Sequence, residues 1–278
     1  MKKFFPCLIF LCMVFTQNAI AQETTVQETA EQEMPAQEKE RLNRIGISIG
    51  GSFGGYREET DSSINRYYNH LSYFLDADFE RKNFLHNINL GFFMGENTVA
   101  RKFEEKYSPL RYYSIRANIE YALDYRLWGN ETFPGYFGGS FRTDAYVMTE
   151  TMEIAKITAL FSLGAHVTQK YIINSRHSLV LTAGMPLLGY AVRPPYPGVD
   201  EILEKHTSEG NPIKIFGLGK FSSIHNYWAL FADLKYHFKL IDLLSLNVGL
   251  GFDLSRVNFP QPRIDAVFRL SGGISFTF

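Results

Sequence analysis

At 278 residues with a formal net charge of −1, the chain could hold one large core or two ordinary ones, and it lacks the basic surplus that a nucleic-acid partner requires. Its two cysteines, Cys7 and Cys12, both fall in an N-terminal segment that reads as cleavable, which excludes disulfides and thiolate metal sites from the mature chain. Aromatic residues reach 15%, with 24 Phe and 16 Tyr, a proportion suited to aromatic belts at two membrane interfaces.

The first segment pairs Lys2 and Lys3 with an apolar run from Phe4 to Phe15 and the small-residue site Ala19-Ile20-Ala21. This predicts a secretory signal over residues 1–21. A membrane anchor would need roughly 20 apolar residues, and this run ends earlier, in Thr16, Gln17 and Asn18. A lipoprotein-type anchor on Cys12 is the lesser alternative, because no small residues precede it. Residues 22–42 are rich in Gln, Glu and Thr, with Glu23, Glu28, Glu31, Glu33, Glu38 and Glu40 against Lys39 and Arg41. Such a block cannot bury a core, and it reads as a disordered, acidic periplasmic tail or, alternatively, a short helix docked on the rest. No later stretch has the ~18 consecutive apolar residues of a membrane helix, so a membrane-spanning version of this chain must be a barrel.

From Asn43 to Phe278 the pattern changes to apolar–polar alternation with a period of two. Ile45, Ile47, Ile49 and Phe53 share one face of the first strand, opposite Gly46, Ser48, Gly50 and Ser52. The second sets Leu71, Tyr73 and Leu75 against Ser72, Phe74 and Asp76, and the third sets Ile88, Leu90, Phe92 and Met94 against Asn87, Asn89 and Gly91. The fourth, longest, places Tyr113, Ile115, Ala117, Ile119, Tyr121, Leu123 and Tyr125 opposite Ser114, Arg116, Asn118, Glu120 and Asp124. Phe137, Phe141 and Ala145 in the fifth face away from Ser140, Arg142 and Asp144. A sixth strand from about 158 to 168 and a shorter seventh near 178–185 follow, and three more close the chain, near 228–238, 244–254 and 263–278. The expected architecture is an all-β, transmembrane, antiparallel up-and-down barrel of about ten strands, with twelve as the alternative if Ile213–Phe221 adds a strand that parity must match with another.

Connectors discriminate between a soluble and a membrane barrel. The odd gaps, around 55–66, 96–109, 148–156, 188–222 and 255–262, are generally longer than the even ones, near 81–86, 127–135, 169–177 and 239–243. Long exterior loops and short periplasmic turns are the outer-membrane arrangement. The last strand ends Leu270-Ser271-Gly272-Gly273-Ile274-Ser275-Phe276-Thr277-Phe278, which resembles the C-terminal strand signal of outer-membrane barrels. That resemblance implies recognition of Phe278, Phe276, Ile274 and Leu270 by the barrel-assembly machinery. The whole chain resembles the outer-membrane β-barrel proteins of Gram-negative bacteria without matching a functionally defined family among them. The resemblance implies location in the cell outer membrane, contact with its lipid and lipopolysaccharide, and no nucleic-acid partner.

Ten strands enclose a lumen between those filled by side chains and those that leave an aqueous channel. A turn centred near residue 130 would put Arg116 opposite Asp144 and Asn118 opposite Arg142, with Glu120 one step away, a charge-paired plug of side chains. His225, Asp253, Arg263 and Asp265 form a possible rim constellation in which an aspartate orients an imidazole for general base work, and His70 with Ser72 form a second. No serine motif of a known barrel hydrolase accompanies either, so both groups are weak catalytic candidates. His166 and His237 lack ligand-like neighbours, and neither a metal nor a cofactor is expected. The functional expectation is a non-enzymatic barrel, acting as a narrow channel or in a surface ligand-binding or structural role. The alternative is an outer-membrane hydrolase, a lipase, deacylase or protease, with its site at the extracellular rim. The segment Gly189–Phe221 is the longest loop, containing Arg193-Pro194-Pro195-Tyr196-Pro197-Gly198 and expected to fold inward or to project toward partners.

Overall fold

The computed structural model describes residues 43–58, 62–99, 112–149, 155–193, 219–259 and 262–278. Residues 1–21, expected to be a secretory signal, residues 22–42, expected to be an acidic tail, and residues 194–218 of the longest loop lie outside them.

The described residues form eleven strands: β1 (Arg44–Glu58), β2 (Ser62–Arg81), β3 (Phe84–Val99), β4 (Tyr112–Trp128), β5 (Gly135–Thr149), β6 (Ala155–Ile172), β7 (His177–Val192), β8 (Lys220–Ser223), β9 (Tyr227–Ile241), β10 (Leu244–Val257) and β11 (Arg263–Thr277). Each long strand pairs antiparallel with its chain neighbours, and β1 pairs with β11 from Arg44↔Thr277 to Glu58↔Arg263, which closes the sheet. The ring is therefore β1 to β7, then β9, β10 and β11, ten strands in all. The four-residue β8 pairs only with the far end of β7, from Leu188↔Ser223 to Ala191↔Lys220, and does not cross the barrel. Of the strand expected near Ile213–Phe221, residues 213–218 lie outside the described residues, and Lys220 and Phe221 open the short β8. Among the described residues no twelfth strand accompanies it, because β8 lies beside β7 without adding a crossing.

The faces are inverted relative to a soluble protein. Ile47, Ile49 and Phe53 on β1 are 59%, 52% and 53% exposed on the outside, while Ser48 and Ser52 are buried inside. The same division runs along β4, where Ile115, Ile119 and Leu123 are exposed and Ser114, Asn118, Glu120 and Asp124 buried. An exterior of exposed Ile, Leu and Phe around an interior of Ser, Asp, Glu and Arg is stable only where lipid bathes the outside.

Strands of 14 to 20 residues exceed the roughly 9–11 that a tilted strand needs to cross the hydrocarbon, so they continue past it. This shortens several connectors expected to be long: only residues 59–61 separate β1 from β2, and only 258–262 separate β10 from β11. The turns at the terminal end are built locally. Lys82 takes a positive φ of 54° in the turn between β2 and β3. Asn130 Oδ1 accepts from the backbone N–H groups of Thr132 and Phe133, and Asn174 Oδ1 does the same for Arg176 and His177. Self-bonding asparagines stop a strand without a long loop.

The β4–β5 register corrects one expectation. Arg116 lies opposite Tyr146, Asn118 opposite Asp144 and Glu120 opposite Arg142. The ladder shifts between Arg126 and Trp128, and the turn over 129–134 centres one residue later than expected, which slides each partner by two positions.

Candidate functional site

Because inward positions are largely polar on most of the long strands, the lumen is where charged groups meet, and burial demands that they find partners. At the terminal end, Lys170 Nζ on β6 reaches Glu80 Oε2 on β2 at 3.0 Å, and Tyr136 Oη donates to the other oxygen at 2.7 Å. Just above, Asp124 is held by His166 Nδ1 at 2.7 Å and by the Thr168 hydroxyl at 2.8 Å. Lys235 on β9 then reaches across to Asp76 on β2 at 3.3 Å.

The middle of the lumen carries the densest network. Arg142 on β5 bonds Asp144 at 2.9 Å and Asp253 on β10 at 3.3 Å, and its guanidinium lies 4.8 Å over the Phe231 ring. Arg269 holds Asp233 at 3.0 Å and the second oxygen of Asp253 at 3.3 Å. Arg116 joins Asp144 at 2.9 Å although the two are not register partners, because its long side chain reaches diagonally along the wall. Glu120 stands 3.9 Å from Arg142. The four residues expected to form a charge network therefore lie together, in a larger set that includes Asp253, Arg269 and Asp233.

Toward the outer end, Arg263 packs between the Tyr56 and Tyr146 rings, 4.7 Å from each centroid, and bonds Asp265 at 3.2 Å. Tyr68 Oη donates to Asp265 at 2.7 Å. Beside this layer lies a cavity of about 50 Å³, floored by Arg116, Arg142 and Asp253 and walled by Pro186, Tyr227 and Leu160. It has room for a few ordered waters.

Neither weak catalytic group is assembled as expected. His225 sits exposed in the turn between β8 and β9, outside the ladders, because β9 begins only at Tyr227, whereas Asp253 is committed to Arg142 and Arg269 and Asp265 to Tyr68 and Arg263. Ser72 bonds the Ser52 hydroxyl. His70 Nε2 meets Ser114 Oγ at 2.7 Å instead, and Ser114 also bonds Asn97 at 3.2 Å. His70 stacks on Tyr68 at 4.7 Å, and both His70 and Ser114 are buried, which leaves no space for a substrate at that serine. No group of three or more potential metal ligands occurs among the described residues.

Outside the membrane, in the β9–β10 turn, Lys239 Nζ bonds Asp242 at 2.9 Å and holds that carboxyl below its usual range.

No protein-family model matches the sequence, and no curated protein resembles it in sequence. Solved structures do match the fold. The outer membrane protease OmpT of Escherichia coli aligns with a TM-score of 0.51 at 6% identity, over 88% of this chain and 99% of that one. The transport unit of the Escherichia coli autotransporter AIDA-I aligns at 0.39 and 9% identity over 94% and 98%, and Neisserial surface protein A at 0.34 and 9% over 84% and 97%. At such identities the likeness concerns the fold alone. Together with the apolar exterior, the polar interior and the closed ten-strand ring, it makes the chain an outer-membrane β-barrel.

Proposed function

We propose that the protein is a non-enzymatic outer-membrane barrel whose lumen is sealed by its own charged side chains and whose task is a structural or ligand-binding one at the outer surface. The observation that carries this reading is the succession of bridges across the lumen: Lys170–Glu80, Lys235–Asp76, Arg142–Asp253 and Arg263 between Tyr56 and Tyr146. A conducting pore needs an unobstructed aqueous path, and these side chains span the interior at several heights. Of the two non-enzymatic roles, the narrow channel is accordingly the less supported. The hydrolase alternative gains nothing from geometry, since among the described residues no carboxylate partners the exposed His225 and the His70–Ser114 pair is enclosed.

In this reading residues 1–21 direct export, and the outward row Leu270, Ile274, Phe276 and Phe278 is what the assembly machinery engages. All four side chains are exposed on the outer wall. Liposomes carrying the folded barrel and loaded with a small sugar should retain it as protein-free liposomes do, and ester and peptide substrates should remain intact. Rapid sugar loss would contradict the sealed lumen. Hydrolysis that disappears in His225→Ala or His70→Ala would contradict the non-enzymatic role.

A further inference from the structure

The arginines on inner strand positions Arg116, Arg142, Arg263 and Arg269 are all paired with carboxylates. Among the described residues, two on the outer wall at the end away from the chain termini are not. Arg57 on β1 is exposed and has no hydrogen-bond or ion-pair partner among the described residues. Arg256 on β10 donates Nε to Asn258 Oδ1 at 2.9 Å, and among the described residues no carboxylate meets its guanidinium. Their inward neighbours Tyr56 and Val257 are buried, which fixes both arginines on the lipid side.

The register sets them side by side. Ile264 of β11 is opposite Arg57 on one side and Arg256 on the other, and Arg256 is in turn opposite Trp228. With strands ~4.8 Å apart, the two arginine backbones stand roughly 10 Å from each other across Ile264. Four residues along each strand toward the terminal end, the same three strands carry Phe53, Phe268 and Phe252 in register, with ring centroids 6.2 and 4.9 Å apart.

Height can be read along β11. From Phe278 to Phe268 the strand advances ~33 Å at ~3.3 Å per residue, which a tilt of about 45° turns into roughly 23 Å, close to the height of an outer-membrane apolar band. The phenylalanine row therefore lies at the outer edge of the hydrocarbon. Ile264 and its flanking arginines come roughly 9 Å higher by the same arithmetic, at the level of lipid headgroups.

We propose that Arg57 and Arg256 bind the phosphate groups of a phosphorylated glycolipid of the outer leaflet, whose acyl chains lie on the Phe53–Phe268–Phe252 row. Two planar, permanently charged donors with no carboxylate partner among the described residues suit phosphate oxygens, and Ile264 and Trp228 supply the apolar and interfacial contacts around them. The site rests on the outer-membrane placement of the barrel and is independent of whether its lumen conducts.

The chain has two tryptophans, Trp128 at the terminal end and Trp228 beside Arg256, so Trp128→Phe leaves a single reporter at the site. The folded, full-length barrel in zwitterionic micelles is titrated with diphosphorylated lipid A while Trp228 fluorescence is followed. Saturable binding is expected, weakened about ten-fold or more in Arg57→Ala/Arg256→Ala and largely restored in Arg57→Lys/Arg256→Lys. Dephosphorylated lipid A should bind like the alanine double variant. Heat-modifiable gel mobility confirms that each variant is folded, and the lysine pair tests the charge if the alanine pair does not assemble. Binding by the folded alanine double variant within about two-fold of the parent would overturn the proposal. So would equal binding of the dephosphorylated lipid, or complete displacement of the lipid by inorganic phosphate, which would mark a free-anion site instead.

Discussion

The closed side of the barrel and its β7–β9 corner follow different rules. Between β1 and β11 the ladder is unbroken over the whole length of β1, and glycines let the backbones approach: a Cβ on Gly50 would stand 2.0 Å from the Leu270 carbonyl oxygen, and one on Gly54 2.0 Å from that of Ala266. At the corner, β7 pairs with β9 only from His177↔Phe238 to Gly184↔Phe231, and beyond that β8 takes over as its partner. The β6–β7 register shifts between Leu163 and Gly164, next to Pro186, which has no N–H to give a ladder. Tyr227 covers the gap from inside, its ring lying where a Cβ on Gly189 would be, 2.5 Å away. Closure is thus maintained by backbone pairing on one side and by side chains at the other, and the two should respond differently to substitution.

The largest effect is expected on the closed side. Gly50→Val should prevent β1 from docking on β11, so the chain should run at its unfolded position on unboiled gels. Next comes the lumen. Arg142→Ala strips Asp144 and Asp253 of a shared buried partner and should cost about 3–5 kcal/mol, read as a lower urea midpoint for unfolding. At the corner, Gly189→Ala displaces a side chain rather than a backbone and should cost roughly 1 kcal/mol in the same assay. Phe221 on β8 is 88% exposed, and Phe221→Ala should stay within about 0.5 kcal/mol of the parent. Should Gly189→Ala prove as damaging as Gly50→Val, the distinction between the two sides would fail.

The smallest effect concerns pH. Lys239 depresses the Asp242 carboxyl in the folded protein, so its contribution is present above the ordinary carboxylate range and is lost as pH falls through the lower, folded value. An acid titration should show the difference between parent and Asp242→Asn vanish only at that acidic end.

Much of the fold is legible in the sequence because period two survives in every long strand: the Ile45–Phe53 and Tyr113–Tyr125 rows identify the lipid face residue by residue. The register was harder to read. Whether Arg116 faces Asp144 or Tyr146 turns on a ladder shift at Arg126–Trp128, and no alternation pattern encodes an added residue in a turn. Strand ends were equally hidden, since Tyr56–Glu58 and Ser255–Val257 extend a ladder past the hydrocarbon, where polar and apolar residues are both tolerated. The lumen partners were legible as types and not as pairs. Arg142–Asp253 and Lys235–Asp76 join strands far apart in the chain, and which inward groups meet depends on barrel girth and stagger. The Ser114–His70 contact has the same origin, whereas His70 and Ser72, two apart on one strand, stand parallel rather than facing one another.

Single-channel recording in planar bilayers tests the sealed lumen most directly. The folded wild-type barrel should insert without conductance steps, because Lys170–Glu80, Lys235–Asp76 and Arg142–Asp253 cross the path of ions. Steady, reproducible open-channel steps from the wild-type protein would contradict it.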